Sequence, residues 1–254
     1  MNRYDDIYEF DDKPKRKRDE DPTTWTDAWK AIGIFLVIYL VLTGITWVAQ
    51  FTLYGDLSKK YFDITLSANS VQQPEIIVSY FNAFQNPDPL FLALYFVLAT
   101  ILVVVALFIV YGLIHVFATK VQGGDGTLRG LIVRANWWTI GVLVINSLFS
   151  SIFNYFMMSN VVNRFEGVNI AASSASLTEY SNFIISESTG MYVTVLIAWL
   201  VWCVNVGLVT AKNYHIAKSK GCLAMVLTNV ALIAMYCGCT FAIGFGLATV
   251  MMSA

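Results

Sequence analysis

Five long apolar runs dominate this chain, and they leave few folds open to it. They fall at about 31–54, 90–118, 128–157, 190–211 and 222–252. Each supplies the ~20 residues that a helix needs to cross a ~30 Å hydrocarbon core at ~1.5 Å per residue. Inside lipid, backbone amides find no water, so a spanning segment must satisfy them within itself as a helix. Composition agrees: 57% of the 254 residues are apolar and only 13% are charged, about half the charged share of a soluble domain. Mean hydropathy is +0.62. The expected fold class is an all-α integral membrane protein with five transmembrane helices. Runs longer than ~20 residues predict tilt or projection into water.

The charges are crowded at one end. Seven of the 16 Lys and Arg, and nine of the 17 Asp and Glu, lie in the first 30 residues. Residues 1–24 therefore read as a charged tail, disordered in isolation, and 25–254 as the five-helix membrane domain. The tail is too long and acidic for the n-region of a secretory signal. Trp25 and Trp29 suit a membrane-interface belt.

The connections alternate in character. Segments 55–89 and 158–189 are long and poor in Lys and Arg, whereas 119–127 and 212–221 are short and basic. An N-terminus on the cytoplasmic side places 13 of the 16 Lys and Arg there, leaving Lys59, Lys60 and Arg164 outside. The positive-inside rule thus predicts a cytoplasmic N-terminus and an outer C-terminus. Both outer loops carry amphipathic patterns. One follows Pro74, with Ile76, Ile77, Tyr80, Phe81 and Phe84 on a stripe; the other follows a Ser176/Glu179 capping box. Two short amphipathic helices are expected in these loops.

Polar residues inside the spans are few. Arg134 lies early in the third span, with Asn136 beside it, and Asn205 and Asn229 lie at similar depth on spans four and five. Facing one another, they would form a polar cluster near the cytoplasmic side. Such asparagines either glue helices through hydrogen bonds or build a solute site. Between spans two and three, His115 precedes the turn Gly123-Gly124-Asp125-Gly126. Glycines there permit positive φ and a tight helical hairpin. On the fifth span, Ala234, Gly238, Ala242 and Gly246 recur every fourth residue, a face suited to close helix packing.

Catalytic chemistry finds little purchase. No Asp or Glu lies in the five runs, no Ser/His/Asp set is evident, and no nucleotide motif occurs. The four cysteines (Cys203, Cys222, Cys237, Cys239) lack metal-type spacing with His115 or His215. No enzyme activity, cofactor, metal or nucleic-acid partner is expected.

His115, the Gly123-Gly124-Asp125-Gly126-Thr127 turn, an apolar span with Arg134 and tryptophans, and the Trp202, Gly207, Leu208 and Gly221 hairpin together resemble the Yip-domain family, most closely its prokaryotic members. The likeness covers about residues 90–246. It implies five spans with the N-terminus inside, and a prokaryotic cytoplasmic membrane, or Golgi and endoplasmic reticulum for eukaryotic members linked to vesicle traffic. It implies no catalytic residue. The functional expectation is a non-enzymatic scaffold or accessory subunit that binds another membrane protein or itself within the lipid bilayer. A small-solute permease using the Arg134/Asn136/Asn205/Asn229 cluster, and a Yip-type trafficking factor, are the alternatives.

Overall fold

The structure is a computed structural model that describes residues 22–69 and 88–253. Among these it contains six α-helices and no strand. Helix α1 is Trp25–Val48, extended by a π-helical turn Ala49–Leu53, and α2 is Gly55–Asn69. Helix α3 is Pro89–Val116, extended by a π-helical turn Phe117–Val121. Helices α4 (Leu128–Phe165), α5 (Ser174–Asn213) and α6 (Lys218–Ser253) follow. All but α2 are long and apolar enough to cross a membrane. The chain is a multi-pass membrane protein whose outer surface meets lipid.

Helix starts follow local chemistry. Thr24 caps α1 in a reciprocal box: Asp27 N–H donates to Thr24 Oγ1 at 3.2 Å, and Thr24 N–H donates to Asp27 Oδ2 at 2.9 Å. Asp88 accepts from Leu90 N–H at 2.9 Å, and Pro89 opens α3 where its missing N–H costs nothing. Thr127 caps α4 and Ser173 caps α5.

Helix α4 is the hub, packing against α1, α2, α3 and α5, while α6 packs on α5. With 38 residues α4 is ~57 Å long, and α5 with 40 residues is ~60 Å. Both are about twice the hydrocarbon thickness. One core lies toward the end that carries the 122–127 and 214–217 turns, here termed the loop end. It holds Ala28, Ile32 and Phe35 of α1, Tyr111 and Ile114 of α3, Leu131, Ile132 and Ala135 of α4, and Tyr214 and Met225. A second, smaller core lies at the far end, where Ala68, Val161, Phe165, Ile170 and Tyr180 meet, with Tyr61 and Ile64 packed around them.

The outer loops differ from expectation. The Ser176/Glu179 segment is not a separate short helix: α5 starts at Ser174 and runs unbroken into the fourth span. Its cap is Ser173, which accepts from Ser176 N–H at 3.1 Å, while Glu179 pairs with Arg164 at 2.7 Å. Helix α2, in a stretch read as loop, docks Ala68 and Ile64 on the far-end core. The amphipathic segment after Pro74 lies outside the described residues, as does residues 1–21 of the tail.

Candidate functional site: the interlocked turns of the loop end

The residues with the most specific geometry are those of the two short turns. The first joins α3 to α4; the second joins α5 to α6. They are laced together by main-chain and side-chain bonds. Asp125 N–H donates to Tyr214 O at 3.2 Å. Asn213 Nδ2 donates to Thr127 O at 2.9 Å, and Arg134 Nη1 donates to Asn213 Oδ1 at 2.8 Å. Asn213 thus donates from the nitrogen and accepts at the oxygen of its amide while buried at 2% exposure. A buried side-chain amide in this state rigidifies its surroundings, because each partner would be orphaned by its loss.

Tyr214 is the centre of the clasp. Its side chain is fully buried, its hydroxyl lies 2.7 Å from His115 Nδ1, and the two rings are 5.6 Å apart. His215 follows with φ +53°, a left-handed conformation uncommon for a side-chain-bearing residue. Its exposed ring pairs with Asp125 across the turns at 2.8 Å. His115, which precedes the turn in sequence, thus bonds Tyr214 of the second turn, and it is His215 that reaches Asp125 of the first.

The glycines act differently from one another. Only Gly123 of this turn has positive φ, at +72°. Gly124 and Gly126 are required by proximity instead. A Cβ on Gly124 would come within 2.7 Å of the Tyr214 Cβ, and one on Gly126 would run into the Asn213 carbonyl. The same logic recurs at the α5/α6 crossing, where a Cβ on Gly221 would strike the Gly207 carbonyl oxygen.

The Arg134/Asn136/Asn205/Asn229 residues bond to separate partners. Arg134 reaches Asn213 at the end of α5. Asn136, buried at 2%, donates to Ala31 O of α1 at 2.8 Å. Asn205 donates to Val201 O on its own helix, and Asn229 to Met225 O one turn back and to Cys203 Sγ at 3.4 Å. A polar link that composition did not flag lies deeper. Thr139 Oγ1 is 2.8 Å from Tyr111 OH and accepts from Trp202 Nε1 at 3.0 Å, joining α3, α4 and α5. Tyr111 and Trp202 read as apolar bulk in a sequence, so only their tertiary meeting reveals the bond.

On the fifth span, Ala234 is exposed to the outside of the bundle. Gly238, Ala242 and Gly246 lie outside the residues whose side-chain surroundings are described.

Open clefts occur at the far end. One, of about 700 Å³, is bordered by Arg164, Ser174, Thr178, Glu179, Asn182 and Phe183. The guanidinium of Arg164 sits 5.3 Å from the Phe183 ring centre while pairing with Glu179. Nearby, the Lys60 amine is held above its ordinary value by its hydrogen bond to Glu166, 2.7 Å away. Among the described residues, no three His, Cys, Asp or Glu side chains converge as metal ligands would.

Fold and clasp together define a multi-pass membrane protein with five spanning helices and a loop end closed by interlocked turns. Compared with models of known families, with curated proteins and with solved structures, the chain matches none.

Proposed function

We propose that this chain is a non-catalytic scaffold or accessory subunit, inserted with its N-terminus on the cytoplasmic side of a prokaryotic membrane, that holds a second membrane protein. The observation that carries the reading is the state of α3. Its loop-end half is pinned by Tyr111, Ile114 and Ala118 in the core. Its membrane half presents Leu94, Val97, Leu98, Ile101, Leu102 and Val105 to the outside. A span held firmly at one end and bare along the rest offers a rigid apolar rail at which van der Waals packing between helices can operate. Asn136 Nδ2, Thr139 and Asn229 bond to the chain's own helices, while the buried Asn136 Oδ1 and Asn146 Oδ1 have no partner among the described residues. The largest uncovered surface of the bundle is the apolar outside of α3.

The His115 and Gly123–Gly126 signature supports membership of the Yip-domain family, as do the five spans. The basic turns support a cytoplasmic loop end through the positive-inside rule. Photo-crosslinking from Leu98 and Ile101 in native membranes tests the scaffold reading. A discrete adduct with one other polypeptide, or with a second copy, is the expected result. Adducts with lipid alone at both positions would reject it.

A further inference from the structure

The loop end carries a charge pattern that the clasp uses only in part, through Arg134 and the Asp125–His215 pair. Its described basic residues are Lys30, Lys120, Arg129, Arg134, Lys212, Lys218 and Lys220. Its described acids are Asp27 and Asp125, and both are engaged, Asp27 with Thr24 and Asp125 with His215. Lys120, Lys212, Lys218 and Lys220 are exposed, and none forms an ion pair with a described residue. Lys120 sits on the π-helical turn Phe117–Val121, which packs directly on α6, where Lys218 and Lys220 lie. The four lysines thus project from adjoining elements that the clasp holds rigid.

Their height is set by the tryptophans. Trp25 and Trp29 on α1, and Trp137 and Trp138 on α4, are exposed on the outside of the bundle. The bond from Asn136 to Ala31 sets Trp29, Trp137 and Trp138 within ~6 Å of one level, with Trp25 ~6 Å further toward the loop end. Exposed indoles mark the headgroup–hydrocarbon boundary. From Trp137, Arg129 lies eight residues toward the helix start, ~12 Å further out. Trp25 stands at nearly the level of Arg129, so the indole band reaches from Trp138 to the loop-end turns. Arg134 lies within that band, and Lys212, beside the Asn213 that bonds Thr127, lies at its outer edge with Lys120, Lys218 and Lys220 on the adjoining elements. From Trp137, a ~30 Å crossing ends near Met157, where the far-end core begins.

We propose that the rim formed by Lys120, Lys212, Lys218 and Lys220 binds the phosphates of anionic lipid headgroups in the adjacent leaflet. Charge complementarity and continuity with the indole belt select this occupant. A rigid rim gathers several ammonium groups at no ordering cost to the backbone, so one or a few acidic lipids are retained in preference to zwitterionic neighbours.

The test uses the full chain in vesicles of phosphatidylcholine with phosphatidylglycerol at about one lipid in four. Association of headgroup-labelled lipid is read by fluorescence quenching. The expected result is a preference for phosphatidylglycerol of about tenfold or more, lost in ~0.5 M salt. The combined Lys212→Gln, Lys218→Gln, Lys220→Gln variant should lose most of it, whereas Lys59→Gln at the far end should keep it. Salt dependence of the unmodified chain provides the reading should the combined variant fold poorly. Equal association of both lipids, or a preference unchanged in the combined variant, overturns the proposal. Competition by millimolar inorganic phosphate would assign the rim to free phosphate and likewise overturn it. So would a preference that emerges only after Asp5, Asp6, Glu9, Asp11 and Asp12 are neutralised, because the acidic tail would then be the occupant.

Discussion

The two ends of the bundle are built by opposite means. At the loop end, helices meet through backbone: Gly126 against the Asn213 carbonyl, Gly221 against Gly207, and Asp125 N–H on Tyr214 O. Buried polar side chains close the remaining gaps. At the far end, α2 and the extensions of α4 and α5 meet through a small side-chain core around Phe165 and Tyr180, rimmed by exposed ion pairs. Charge follows the same division. Among the described residues the far end has Lys59, Lys60 and Arg164 against Asp56, Asp63, Asp88, Glu166, Glu179 and Glu187. The loop end, again among the described residues, has seven bases against two acids. An end locked by backbone contact tolerates no added atom, whereas an end locked by side chains on a satellite core can loosen without disturbing the spans. That difference ranks the expected effects of mutation.

Gly126→Ala should do the most damage. The new methyl overlaps a main-chain carbonyl that cannot swing away, so the turns must separate, at a cost of about 3 kcal/mol. Thermal unfolding in mild detergent measures it, and trypsin cleavage after Lys120 should quicken. Gly123→Ala provides the contrast. Its Cβ meets nothing within 4 Å, so only the φ of +72° is penalised, by about 1 kcal/mol. Equal effects at the two positions would show that the turns are not in contact.

Asn213→Leu comes next, at about 2 kcal/mol, because Thr127 O and Arg134 both lose a partner in a buried place. Asn213→Asp should fall between, keeping an acceptor for Arg134 while removing the donor to Thr127. Phe165→Ala belongs below these when whole-bundle melting is the readout. The truncation itself is a large one, but it can be absorbed by undocking α2, a local opening that leaves the spans folded. Hydrogen exchange should therefore rise across residues 55–69, with the melting midpoint moving by less than ~1 kcal/mol equivalent. Loss of protection in α1 or α6 would mean that the two ends are coupled after all.

The sequence made the five crossings plain, since unbroken apolar runs admit no other fold in lipid. It was less informative wherever helix continues past the apolar run. Residues 158–165 read as loop and the segment after Ser176 as a short helix separate from the fourth span, yet both are continuous with their spans because α2 and each other cover their apolar faces. The turn was legible as special, but for only part of the physical reason. Three glycines suggested backbone freedom; one needs it, and two need the absence of a side chain. The asparagines show the same boundary. Their depth could be counted along the helix, but which way each faces depends on helix rotation, and Arg134 turned to Asn213 just past the end of the apolar run.

The smallest expected effect sharpens the comparison most. Arg164 and Glu179 form a well-made pair at 2.7 Å, shorter than any bond in the clasp except that of His115 with Tyr214, which it equals. Distance alone would rank it among the strongest contacts. Both side chains are more than half exposed, however, so water and salt screen the attraction and compete for both groups. A double-mutant cycle with Arg164→Gln and Glu179→Gln should return a coupling of about 0.5 kcal/mol that disappears in ~0.5 M salt. The corresponding cycle with Arg134→Gln and Asn213→Leu should return more than that and change little with salt, because Asn213 is buried and its amide carries no charge to screen. If the far-end pair proved the stronger, burial would not be what separates the two ends, and the rank order from Gly126 downward would have to be rebuilt on charge.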